Sequence, residues 1–175
     1  MQPLRQMKPG AARPLTEGEQ LALSPGLAAA LAEAGVRPQV RARTSLLARL
    51  AQVRFASAPV MALGRGVHWP QALEDFSPAG LEACMAVLQH EMQHLLEFAT
   101  GELSPFRYAL RPGNWRYGYT LTSRSRWRDF GAEQRATIAE HYWLLERGLA
   151  DPVKHALGRP PAPLAEYRRV LPWAG

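Results

Sequence analysis

The clearest hydrophobic pattern lies at residues 78–99. There Leu81, Cys84, Met85, Leu88, Met92, Leu95, Leu96 and Ala99 fall on one side of a 3.6-residue repeat. This spacing predicts the strongest helix of the chain, opened by Ser77-Pro78 and closed by Thr100-Gly101. A last long helix is expected from about Asp129 to Arg147, with Gly148 as its stop. Two shorter helices precede them. Thr16 with Glu19 three residues on is a capping-box pattern, in which each side chain satisfies the other residue's free backbone N–H. Ser24-Pro25 then opens the run LAAALAEAG, which stops at Gly35.

Between residues 36 and 73 the pattern changes. RPQVRART suits a short strand or extended arm. SLLARLAQV is ambiguous: its Leu spacing fits a short helix and its tail QVRFA fits a strand. APVMALGRGVHWP carries apolar residues around Gly64-Arg65-Gly66 and predicts a hairpin or bent edge strand. From Glu102 to Trp127 the chain reads as a loop rich in aromatic and basic residues. Residues 1–14 hold Pro, Arg and Gly and are expected to form a flexible arm. Residues 151–175, with Pro160-Pro161-Ala162-Pro163, are expected to form an extended Pro-rich tail. One domain over 15–150 remains, without internal repeats, and its class is α+β, mostly helical.

Composition narrows the chemistry. Of 175 residues, 47% are hydrophobic and 21% charged, the profile of a soluble globular protein. No apolar run is long enough for a transmembrane helix. The N-terminus has charge but no following apolar stretch, so no secretory signal is expected and the producing cell's cytoplasm is the expected location. The single cysteine, Cys84, excludes an intrachain disulfide and a Cys-rich zinc site, and its place on the apolar stripe makes it a core residue. A net charge of +6 raises nucleic acid as a partner, but the basic residues are mostly scattered arginines, so no nucleic acid is expected.

Within the strongest helix, His90-Glu91-Met92-Gln93-His94 is an H-E-x-x-H motif. At about 100° per residue, His90 and His94 sit one turn apart on the same side. Two imidazoles so placed can point at one tetrahedral Zn2+ ion, and Glu91 lies beside them to reach a metal-bound water as general base. The motif is short, so its context decides. The apolar stripe anchors one face, and both histidines project roughly opposite it, with Ala83 and Val87 on their side.

A catalytic zinc usually has a third protein ligand. The extended motif that would supply one is missing, because Glu97 and Gly101 do not fit it. On spacing alone Glu133, Glu140 and His141 of the last helix remain open, with Glu133 favoured. The stretch Tyr117-Gly118-Tyr119-Thr120-Leu121, followed by Trp127-Arg128-Asp129-Phe130-Gly131-Ala132-Glu133-Gln134-Arg135-Ala136 and His141-Tyr142, resembles a bacterial Vgr-related family. That family is similar to the metallopeptidase modules of type VI secretion spike proteins. The resemblance also covers Leu15-Thr16 and Gly18-Glu19, and so most of residues 14–148. It implies a zincin-like domain of gluzincin type, with Glu133 as third zinc ligand. The residues after His94 are Leu95-Leu96, where that family more often has Val and an aromatic, and the tail after residue 150 has no counterpart.

Oxyanion stabilisation needs a further donor, for which Tyr117, Tyr119, His141 and Tyr142 are candidates. Tyr117 and Tyr119 alternate on an extended segment, so one faces the zinc while the other packs. His68 lies on a strand expected to border the substrate but is itself read as structural, and Asp75 is either a partner for a ligand histidine or a loop carboxylate. The leading expectation is a zinc metallopeptidase acting on a peptide or protein, exported by a signal-independent route. A secretion-spike or inhibitor protein is the expected partner. The rivals are a zinc-binding adaptor or cargo domain without activity, and a basic binder that uses the Arg-rich segment 107–128.

Overall fold

The computed structural model describes residues 4–45, 59–104, 108, 110–149 and 162–174. The fold is α+β, with five helices and a small mixed sheet among the described residues. Strands β1 (Ala12–Pro14), β2 (Gln39–Arg41), β3 (Met61–Leu63) and β4 (Gly66–His68) lie in the order β1-β2-β4-β3. The hairpin expected around Gly64 is β3–β4, with Gly64 in the left-handed region at φ 63°. β4 also pairs with β2, in parallel, so it is interior, and β3 is the edge of the sheet among the described residues.

Helix α1 (Glu17–Ala22) carries the predicted capping box: Thr16 Oγ1 accepts from Glu19 N and Glu19 Oε2 accepts from Thr16 N. Helix α2 (Pro25–Glu33) begins where Pro25 sets the first turn, but the Ser24 side chain makes no cap bond. Helix α3 (Glu82–Thr100) holds the H-E-x-x-H motif and ends on Gly101 at φ 76°. It starts four residues later than the apolar pattern suggested, because Leu81 N closes a turn on Pro78 O. Helix α4 (Ala132–Glu146) follows a 3-10 turn at Trp127–Asp129 and ends before Gly148. Helix α5 (Leu164–Val170) follows Pro163.

Two expectations about the ends of the chain are corrected. The segment before residue 15 is no loose arm from Leu4 onward: β1 pairs with β2, Met7 N donates to Ala72 O, and Gln6 bridges Leu73. Nor is the C-terminal part an extended tail beyond residue 162. Tyr167, Val170 and Leu171 are buried against Phe130, Ile138, Ala139 and Tyr142. Isolated Pro and Gly signals understate order when a segment has a sheet edge or an apolar face to join. The ambiguous stretch SLLARLAQV and the prolines at 160 and 161 lie outside the described residues, apart from Ser45.

Two apolar clusters frame the site. The larger joins α2, the inner face of the sheet and α3 through Leu27, Leu31, Val40, Ala62, Val67, Leu88, Met92 and Leu95. The smaller joins α4 to α5. Helix α3 packs against α2, α4, β3 and β4, and is enclosed on every side from Leu88 to Glu97. The polar face anticipated opposite its apolar stripe is therefore not turned to solvent. Helix α4 closes it, presenting Glu133, Ala136, Thr137 and Glu140. Small Ala and Thr side chains allow the two backbones to approach, and the carboxylates meet the histidines.

Candidate metal centre

His90 and His94 come from successive turns of α3, with ring centroids 5.0 Å apart and planes at 77°. Glu133, in the first turn of α4, reaches across to both. Its Oε2 lies 3.1 Å from His90 Nε2 and its Oε1 lies 3.5 Å from His94 Nε2. One ligand atom from each of the three residues lies within 4.8 Å of the others, and all three side chains are buried. This group could hold a metal ion, and the two nitrogens and one carboxylate suit a divalent cation of borderline softness.

Glu140, the runner-up as ligand, has another place. Its Oε2 lies 3.1 Å from His90 Nδ1. A proton on Nδ1 directed at Glu140 leaves Nε2 of a neutral ring with its lone pair aimed at Glu133. That is the tautomer a metal ligand needs. His94 Nδ1 is buried and without a hydrogen-bond partner among the described residues. Buried polar atoms are normally satisfied, so an orphan beside a ligand set marks a site rather than a packed core.

Three carboxylates, Glu91, Glu133 and Glu140, surround two imidazoles. Burial acts to lower the His90 pKa, but hydrogen bonds to Glu133 and Glu140 outweigh it and raise it well above the ordinary value. Burial acts to raise Glu133, yet the bonds to His90 and His94 hold it well below the usual carboxylate range. Without a cation, the cluster thus draws a proton onto His90 as a substitute positive charge. Glu91 is different: burial dominates and raises its pKa, against the opposing pull of His90 and His94. One of its oxygens accepts from Ala62 N, at 2.5 Å, on β3.

Tyrosines from the aromatic loop complete the site. The Tyr117 ring stacks on His90 with centroids 6.2 Å apart, and its hydroxyl bonds Glu133. Tyr108, which sequence reasoning did not single out, also donates its hydroxyl to Glu133 and sets its ring edge-on to His94. Burial, reinforced by Glu133, raises the pKa of both phenols, so both remain hydroxyl donors. A loop has no periodicity to mark such a residue; only its aromatic density pointed to the segment.

Tyr119 is turned elsewhere, as alternation on an extended segment requires. Its hydroxyl bonds His141 Nδ1 at 2.5 Å and Tyr167 at 2.8 Å, within the α4–α5 cluster. That places Tyr119 and His141 in packing roles away from the triad. Tyr142 donates to Glu146 and is likewise occupied. Asp75 accepts from Ser77 N and Thr16 Oγ1 and does not orient a ligand histidine. His68 lies on β4, which is interior to the sheet and not an edge strand, with Arg43 Nε 3.4 Å from its Nδ1.

Comparison with family models, with curated proteins and with solved structures gave no match. The functional reading therefore rests on the geometry of the site.

Proposed function

We propose that this protein is a zinc-dependent metallopeptidase with a zincin-like, gluzincin-type centre. The observation that carries this reading is the convergence of His90, His94 and Glu133 from two helices, with Glu91 buried beside them. Bound there, Zn2+ would supply Lewis acidity, acidifying water and polarising the carbonyl to be attacked. His90, His94 and Glu133 would hold it, and Glu140 fixes the His90 ring through Nδ1. Glu91, its pKa raised by burial, accepts a proton from water and returns it to the leaving amine. Ala62 N–H holds one Glu91 oxygen and so fixes the direction of that transfer. Tyr117, still protonated, is the donor best placed for the oxyanion. Tyr119 drops out of that role. A link to type VI secretion, as effector or processing enzyme, rests on the motif resemblance alone.

The test is zinc content and peptide hydrolysis measured on wild type and Glu91→Gln with a panel of denatured proteins. Wild type should bind one zinc and cut; the variant should bind zinc and cut about 10²–10⁴-fold more slowly. A second reading is a zinc-binding adaptor without turnover, favoured by the two tyrosine hydroxyls that sit on Glu133. Zinc bound by both proteins with no cleavage by either would support it.

A further inference from the structure

Among the described residues, three of the five exposed large hydrophobics fall in the loop that carries Tyr108: Leu110 at 62%, Trp115 at 44% and Tyr117 at 39% exposure. They are tied to the site through ring contacts. Trp115 stacks on Tyr108 with centroids 6.0 Å apart, and Tyr108 in turn sits 6.2 Å from His94. The Trp115 indole N–H is spent on Tyr108 O at 3.0 Å, so the ring is held in place while its outer face is open. A fixed, half-exposed aromatic is the kind of group that anchors a partner, since little side-chain entropy is lost on binding.

Basic residues flank these rings along the chain. Arg111 and Arg116 bracket the Pro112–Trp115 turn, are exposed, and pair with no carboxylate among the described residues. Such a rim attracts negative charge and raises the local concentration of an acidic ligand.

We propose that this rim recognises an acidic stretch of polypeptide carrying a bulky apolar or aromatic side chain, and delivers it across the centre. This gives a substrate class to the peptidase reading above and rests on it. A peptide fits better than a nucleic acid. A polyphosphate backbone would bring its charge against Glu91, Glu133 and Glu140, whereas a peptide can carry acidic residues on the rim side and none at the centre.

The experiment uses the full chain as Glu91→Gln, loaded with zinc so that binding is read without turnover. Fluorescence anisotropy compares end-capped dodecapeptides with a central Phe flanked by Asp and Glu, the same peptide flanked by Lys, and an Ala-centred acidic peptide. An oligodeoxynucleotide of twelve bases is the polyanion control. The acidic Phe peptide should bind about tenfold more tightly than the Lys version. Added salt should shrink that gap, and Arg111→Glu with Arg116→Glu should reverse it. Trp115→Ala should weaken the Phe peptide more than the Ala peptide. Equal binding of acidic and basic peptides, or tighter binding of the oligonucleotide, overturns the proposal. Zinc content on the same samples separates the two levels. A protein that takes up no zinc yet still discriminates overturns the hydrolase and keeps the rim. A zinc-loaded protein that does not discriminate overturns the rim alone.

Discussion

Helices α3 and α4 bury two polar clusters against each other, and the two are built differently. One turn beyond His94, Glu97 is met by Arg135, with Nε at 2.9 Å from Oε1 and Nη2 at 2.8 Å from Oε2. Gln93 donates to Glu97 and accepts from Trp173 Nε1. Every charge there has its opposite within the chain. Around His90 and His94, Glu91, Glu133 and Glu140 face two imidazoles, whose charge depends on protonation, and a buried ring nitrogen has no hydrogen-bond partner among the described residues. Burying charge is costly unless it is paired. The closed cluster meets that condition by itself and serves the fold. The open cluster rests on imidazoles, which balance a carboxylate only when protonated and can instead hold a metal ion.

The largest test of this contrast is catalytic. Glu91→Gln leaves the ligand set intact, so zinc content should hold while cleavage falls by about 10²–10⁴-fold. Next comes the closed cluster. Arg135→Met strands Glu97 in the interior and should cost about 3–5 kcal/mol by denaturant unfolding. Zinc stoichiometry of the folded fraction should stay at one; loss of zinc there would mean that the two clusters are a single unit. Replacing both partners with apolar residues should recover most of the stability, because no charge is left unpaired.

Smaller is the effect of Glu140→Gln. It weakens the orientation of His90 and should reduce zinc affinity by about 10–100-fold in a chelator competition, with little change in stability. The smallest effect is expected at His68, outside both clusters. Burial first, then Arg43 and Arg41, lower its pKa below the ordinary 6.5. The neutral ring therefore favours the folded state. That contribution is complete above the unfolded value and fades as pH falls through the lower folded one. Unfolding free energies from pH 7.5 down to 5 should drop more for wild type than for His68→Gln, and parallel curves would remove His68 from the balance.

The sequence already carried much of the site. His90, Glu91 and His94 were legible because a helix turns contiguous spacing into direction. Glu133 was legible only as one of three, since Glu140 and His141 share its helix and similar chemistry. What separates them is the rotation of α4 against α3, which puts Glu140 on Nδ1 of His90 and sends His141 to Tyr119. Tyr108 had no local signature at all, and of the two readings open for Asp75 the packing of α1 decides for the loop carboxylate, bonded to Ser77 and Thr16.

By itself, then, the chain determined its local elements: the capping box at Thr16, the hairpin at Gly64, the helix stops at Gly101 and Gly148, and the paired imidazoles. These depend on interactions within a few residues, where backbone geometry and side-chain chemistry act directly. Tertiary structure alone decided that the terminal segments join the sheet and the core, that α4 covers the histidines, and which carboxylate faces which nitrogen. Those outcomes come from fitting apolar faces together over long sequence separations, where an angle between helices, and no spacing along the chain, places each donor.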